Sequence, residues 1–220
     1  MRNPENRMVE GLVAHRCPGC RLLVTACLCD LIPCVVTRTR VLVVLHHAET
    51  QKPSNTGRLA LRCLPNSGAV IRGAPDQSQA VPAWAEHGDP VVLFPHPDAR
   101  PLADFCGGSR PVTLIVPDGT WRQAQRMRRR VAGLSDVPCA FITRDAPSAY
   151  LLRTTPDVRR LSTMEAIAEA LGLLEGAEGP AARELLLGIF QIMVDRSLRG
   201  RGLQRGPQAT TGSPGPQLRP

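Results

Sequence analysis

Apolar and polar positions fall into short blocks along this chain, and the blocks differ in kind. Arg40 is followed by Val41-Leu42-Val43-Val44-Leu45, an unbroken apolar run that stops at His46, His47 and Glu49. Val91 to Phe94 and Val112 to Val116 repeat the pattern, and each runs into a proline with a polar residue behind it (Pro95-His96, Pro117-Asp118). Ala69 to Arg72 and Cys139 to Thr143 are shorter versions. Apolar runs without alternation are expected of strands covered on both faces. Between and after them the period becomes helical. Asn55 or Thr56 caps a helix that runs to about Leu64, ahead of Pro65-Asn66-Ser67-Gly68. Trp121 to Leu134 places Ala124, Met127, Val131 and Leu134 on one face and Arg122, Arg126, Arg129 and Arg130 on the other. Ser162 and Glu165 form a capping box ahead of the stripe Met164, Ile167, Ala168, Leu171 and Leu174. Gly179-Pro180 opens a last helix, with Leu185, Leu186, Ile189, Phe190, Met193 and Val194 on a wide apolar face that ends near Leu198. Strands alternating with helices predict an α/β fold on a parallel sheet.

Composition narrows this picture. A chain of 220 residues with 43% hydrophobic and 3% aromatic content has room for one substantial domain with an aliphatic core. The net charge is +8, and Lys52 is the only lysine, so the positive charge is nearly all arginine. Arginine's planar fork suits phosphate and stacks on bases, which makes RNA a candidate partner; arginine-rich codon usage is the competing explanation. No apolar run reaches the roughly 18 residues of a membrane span, and Met1 to Glu10 lacks the apolar centre of a signal peptide, so the expected compartment is the cytoplasm. Thiols or metal ligands are then the expected use of the eight cysteines.

Four of them cluster as Cys17-Pro18-Gly19-Cys20, a six-residue gap, and Cys27-Leu28-Cys29. Pro-Gly favours the tight turn that presents two thiolates on one knuckle, and the second pair closes a tetrahedron around zinc. Four protein ligands leave no open position, so such a zinc is structural. Buried or redox-active thiols are the alternative. Cys34, Cys63, Cys106 and Cys139 are expected to be packing residues, with a spare ligand as the alternative for Cys34. Gly200 to Pro220 is rich in Gly, Pro, Gln and Arg without an acid, as expected of a disordered basic tail.

The candidate chemistry lies at the end of Val112 to Trp121. A buried strand ending in Asp118-Gly119-Thr120 and opening a helix at Trp121 is a common build of a site in α/β proteins, where ligands collect at strand carboxyl ends. Asp118 is the candidate acid or base, with a helix cap or turn acid as the alternative. The arginine face behind it is either a solvated surface or a phosphate rail. The start of the Ser162–Glu165 helix suits an anionic ligand group, although Glu165 is accounted for as a capping residue.

Taken in order, the cysteine cluster, His46-x-x-Glu49, Asn55-Thr56-Gly57-Arg58-Leu59, Asp118-Gly119-Thr120-Trp121 and Ser162-Thr163-x-Glu165-Ala166 resemble the DTW-domain family, over roughly residues 15 to 200. That resemblance implies a SPOUT-like α/β domain with a C-terminal trefoil knot. The implied divisions are a zinc-binding module over 1–35, a catalytic domain over 36–199 and the tail over 200–220. It implies transfer of the 3-amino-3-carboxypropyl group of S-adenosylmethionine to N3 of a tRNA uridine, in the variable loop in bacterial members and the D-loop in eukaryotic relatives. Asp118 then becomes the expected base for uridine N3, with Thr120 and Trp121 at the pocket. Leu93, Phe94, Pro95, Ser162, Thr163, Glu165 and Ala166 become expected S-adenosylmethionine contacts. Arg58, Arg122, Arg126 and Arg129 become expected tRNA phosphate contacts, and Cys17, Cys20, Cys27 and Cys29 the zinc ligands. A SPOUT-like RNA methyltransferase and a non-catalytic zinc-bearing RNA-binding module are the rival readings. His46 and Glu49 are expected to line the site or support it.

Overall fold

The computed structural model describes residues 15–74, 83–143 and 161–200. The basic tail and most of the connection before α3 lie outside the described residues, as do 75–82. Strands β1 (Arg40–His46), β2 (Ser67–Arg72), β3 (Asp89–Leu93), β4 (Arg100–Pro101), β5 (Val112–Asp118) and β6 (Cys139–Phe141) form one sheet in the order β2-β1-β5-β3-β6-β4. Every pairing is parallel. The helices are α1 (Thr56–Cys63), α2 (Trp121–Arg130), α3 (Thr163–Leu174) and α4 (Gly179–Arg199). Among the described residues no helix is long and apolar enough to cross a membrane.

Alternation along each strand divides the core between two layers. Val41, Val43 and Leu45 of β1 and Leu114 and Val116 of β5 pack with residues of α1, α3 and α4. Val44 and Ile115 point the other way and pack with Ala124 and Met127 of α2. The unbroken apolar runs in sequence follow from this cover on both faces. It also means that the neighbouring strands β1 and β5 send their next helices to opposite faces. Such a switch opens a crevice at the carboxyl ends of the two strands.

Several elements differ from the pattern-based expectation. β5 continues through Pro117 to Asp118, paired with Val44 and Leu45 of β1, while its pairing to β3 stops at Ile115. The sheet therefore splays between β5 and β3 just below Asp118. Helix α2 ends at Arg130 and not at Leu134: Val131 is extended, and Gly133 sits at φ 71°. Val131 and Leu134 remain buried in the α2 cluster, which is why the helical period carries on past the helix. Leu185 is 50% exposed and is not part of the buried face of α4. Cys34 and Cys106 are exposed, against the expectation of packing residues, whereas Cys63 and Cys139 are buried. β4 was not anticipated; two residues carry no period.

The cysteine segment is packed onto the sheet domain. Leu22 and Leu28 are buried in the same cluster as Val41, Leu59 and Val194. Arg196 of α4 hydrogen-bonds to the carbonyl of Cys27.

Candidate functional site

Three of the sequence motifs meet at Asp118. Asn55 is the N-cap of α1, its Oδ1 accepting from Arg58 N at 2.8 Å. The other half of the same amide donates, from Nδ2 to Asp118 Oδ2, at 2.6 Å. Thr163, the first residue of α3, donates its hydroxyl to Asp118 Oδ1 at 2.8 Å. Thr56 ties the two helix starts together by accepting from Met164 N at 3.3 Å. Gly57 makes the approach possible: a Cβ there would stand 2.5 Å from Asp118 Oδ2. Asp118 is 4% exposed. It is therefore a clamped carboxylate at the switch between β1 and β5, and the N-cap of α2 is Thr120 instead.

Thr120 closes a full capping box with Gln123. Thr120 N donates to Gln123 Oε1 at 2.7 Å, and Gln123 N donates to Thr120 Oγ1 at 3.3 Å. Gln123 Nε2 also reaches His46 Nδ1 at the end of β1, at 3.2 Å. His46 Nδ1 accepts from Ala48 N as well, at 3.2 Å. An Nδ1 that accepts twice places the ring proton on Nε2. Burial, followed by the proximity of His47, holds His46 below the usual imidazole range. The side chain of Glu49 is fully buried and pairs with Lys52 at 2.6 Å, so it braces the loop after β1. Gln123 escaped the sequence reading; its only signal was the T-x-x-Q spacing of a capping box.

Beside this network lies a cleft of about 430 Å³, formed where β5 parts from β3. Leu93, Phe94, Pro95, Trp121, Thr163 and Ala166 are in its wall. The volume is in the range of small-molecule sites. Trp121 is 40% exposed, and its ring centroid lies 5.4 Å from that of Phe94. Ser162 and Glu165 stand behind the wall, buried in their own capping box, with Ser162 N donating to Glu165 Oε2 at 2.8 Å. Thr163 is thus the residue that touches both the clamped carboxylate and the cleft.

The chain belongs to the DTW domain family. The family's model, described as DTW domain, matches residues 14–198, which takes in the cysteine cluster, the sheet and the helices α1 to α4. Three similar proteins carry the name tRNA-uridine aminocarboxypropyltransferase 2. That of Drosophila melanogaster is 26% identical over 79% of this chain and 71% of its own length. That of Macaca fascicularis is 28% identical over 72% and 56%, and that of Mus musculus 27% over 83% and 63%. The chain thus spans between about half and seven-tenths of these relatives. No solved structure matches it.

The four clustered cysteines of this DTW domain bring their sulfurs within 4.8 Å of one another. Cys17 and Cys27 each stand 3.5 Å from a neighbouring sulfur, and Cys20 and Cys27 are 3.8 Å apart. Tetrahedral zinc with bonds of about 2.3 Å requires sulfurs about 3.8 Å apart, so the donor set fits. The backbone N–H of Cys20, then hydrogen bonds from the Cys27 and Cys29 thiols, pulls Cys17 down to about 6. The Cys29 N–H acts to lower Cys27, yet its hydrogen bonds to Cys17 and Cys29 push it up to about 12. Without an ion the sulfurs share protons that a metal would displace. Arg62 of α1 donates to Cys29 Sγ at 3.2 Å. A Cβ at Gly19 would meet that sulfur at 2.9 Å.

The arginines expected at phosphates lie on two separate helices. Arg122, Arg126 and Arg129 are exposed on α2. Arg58 lies on the opposite face of the sheet and donates to the Gly19 carbonyl at 3.2 Å.

Proposed function

We propose that this protein transfers the 3-amino-3-carboxypropyl group of S-adenosylmethionine to N3 of a uridine in tRNA, with a variable-loop uridine as acceptor. The observation that carries the reading is the meeting of the Asn55, Asp118 and Thr163 motifs beside an apolar cleft at the carboxyl edge of the sheet. The names of the similar proteins support the same reaction. In the family resemblance the fold is SPOUT-like, with a trefoil knot in its C-terminal part.

S-adenosylmethionine, when bound in the cleft, supplies a sulfonium leaving group and so an electrophilic carbon. Leu93, Phe94, Pro95 and Ala166 would hold its apolar parts, while Ser162 and Glu165 would shape the helix start from behind. Trp121 would stack on an unpaired base. Uridine N3 must lose its proton as its bond to carbon forms and the carbon–sulfur bond breaks. Asp118 is nearly fully buried, and Thr163, which bonds to it, lines the cleft, so Asp118 would act through Thr163. The Thr163 hydroxyl donates to Asp118, which leaves its lone pairs free to take the N3 proton as its own passes to the carboxylate. Thr120 would hold the turn. Arg58, Arg122, Arg126 and Arg129 would contact phosphates, and zinc on Cys17, Cys20, Cys27 and Cys29 would be structural.

The test is nucleoside mass spectrometry of unmodified tRNA incubated with the protein and S-adenosylmethionine. Uridine carrying the aminocarboxypropyl group is the expected product. A methylated nucleoside would favour the methyltransferase reading, and unchanged tRNA a binding module. Thr163→Ser should retain turnover and Thr163→Val lose it; equal rates would remove the relay.

A further inference from the structure

Arginines also gather around the cysteine knuckle, away from α2. Arg21 sits in a left-handed turn at φ 62°. Its Nη1 donates to Thr50 O at 3.0 Å and also to the Gln51 side chain. Arg16 donates to Arg21 O at 3.1 Å. Arg58 and Arg62 reach the knuckle from α1, to Gly19 O and Cys29 Sγ, both at 3.2 Å. None of these bonds ends on a carboxylate. Burial first, then the positive charges of Arg21 and Arg62, holds Arg58 below the usual guanidinium range. A divalent ion on four thiolates would leave about two negative charges, and Asp30 beside Cys29 adds one more, so among the described residues these four arginines outnumber the negative charge of the knuckle itself. The hollow between Arg58, Arg62 and the knuckle is only about 20 Å³, room for water but not for a small-molecule ligand. This is a surface of spread cations, suited to an extended polyanion.

Its position adds to the point. Arg58 is in the first turn of α1, which follows β1; Arg122 is in the first turn of α2, which follows β5. The two helices cover opposite faces. Two basic surfaces therefore flank the carboxyl edge, with Trp121 and the cleft between them.

Resting on the tRNA reading above, we infer that Arg16, Arg21, Arg58 and Arg62 form a second phosphate-binding surface, so that a structured RNA straddles the carboxyl edge. Its backbone is held on the knuckle side and on the α2 side, and the unpaired target base lies over the cleft. Such contacts carry charge but no base identity.

The experiment measures binding of fluorescently labelled unmodified tRNA to the metal-loaded protein across a salt series. The variants are Arg21→Gln with Arg58→Gln, Arg16→Gln alone, and the α2 set Arg122→Gln, Arg126→Gln and Arg129→Gln. Zinc content and melting temperature serve as controls, and the exposed Arg16 substitution keeps the test valid if the double variant folds poorly. Both the knuckle and the α2 sets should weaken binding by about tenfold or more, and each should flatten the slope of log affinity against log salt by about 0.9 per lost duplex phosphate contact. Wild-type affinity and slope in the knuckle variants, with a loss in the α2 set, would confine the RNA to one face and overturn the inference alone. Failure of the wild-type protein to bind tRNA would overturn the tRNA reading as well.

Discussion

Asn55 Nδ2 lies 2.6 Å from Asp118 Oδ2, although 63 residues separate them in sequence. The same side chain caps α1 through Oδ1. One amide therefore fixes both a helix start and the carboxylate at the end of the central strand. Asn55→Ala should cost about 1 kcal/mol for the cap and a further 1.5–3 kcal/mol for a buried hydrogen bond to a charged group. Chemical denaturation of the single variants and of Asn55→Ala with Asp118→Ala should show strong coupling between the sites. Additive effects would mean that the contact is not a working one.

Gly57 offers a sharper contrast. A Cβ at Gly57 would lie 2.5 Å from Asp118 Oδ2, whereas at Gly188, exposed in the middle of α4, it would meet nothing within 4 Å. Gly57→Ala should destabilise the protein and depress turnover by displacing the carboxylate. Gly188→Ala should stabilise it by about 0.5–1 kcal/mol, because the residue gains helix propensity at no steric cost. Melting temperatures that move in the same direction would contradict the packing described for Gly57.

These positions also mark how far the sequence could be read. The strands other than β4, the two capping residues Asn55 and Ser162, and the cysteine set were visible because they depend on local period and spacing. The end of α2 was not, since Val131 and Leu134 stay buried after the helix has stopped. The separation of Arg58 from the α2 arginines was equally invisible. It depends on which face each crossover takes, and that is a property of the strand order β2-β1-β5-β3. The Gln123–His46 contact and the Thr163–Asp118 contact join segments 77 and 45 residues apart, where no spacing rule reaches.

His46 predicts a pH dependence with a definite sign. Its folded pKa is lowered, by burial first and then by His47 and Lys52, with Glu49 acting in the opposite direction; Arg72 pairs with it across β2, and Asp118 neighbours its preceding residue across β5. In the unfolded chain the ring takes a proton near pH 6.5. Stability from the neutral ring is therefore fully present above about pH 6.5 and is lost as pH falls toward and through the folded value. Protonation would set an Nδ1–H against two donors, Ala48 N and Gln123 Nε2, and so disturb the Thr120 capping box. His46→Asn retains an acceptor but does not titrate. Denaturation midpoints measured from pH 8 to pH 5 should fall more steeply for the wild type than for His46→Asn, and parallel curves would remove His46 from the network.

Metal removal should reach well beyond the knuckle. Leu22 and Leu28 lie within the core shared by α1 and α4, and Arg196 holds the Cys27 carbonyl. A knuckle released by chelation would withdraw two buried leucines and the partner of Arg62 at the same time. Full burial of a leucine side chain contributes about 1.5–3 kcal/mol, so loosening both should lower stability by several kcal/mol. Elemental analysis should find about one zinc per chain, and Cys17→Ser with Cys20→Ser should abolish it. A strong chelator should lower the melting temperature of the wild type but leave that of the cysteine variant unmoved, because the variant has no ion to lose. Melting of the wild type that ignores the chelator, with no metal found beforehand, would show that hydrogen-bonded thiols and the leucines alone hold the knuckle to the sheet domain.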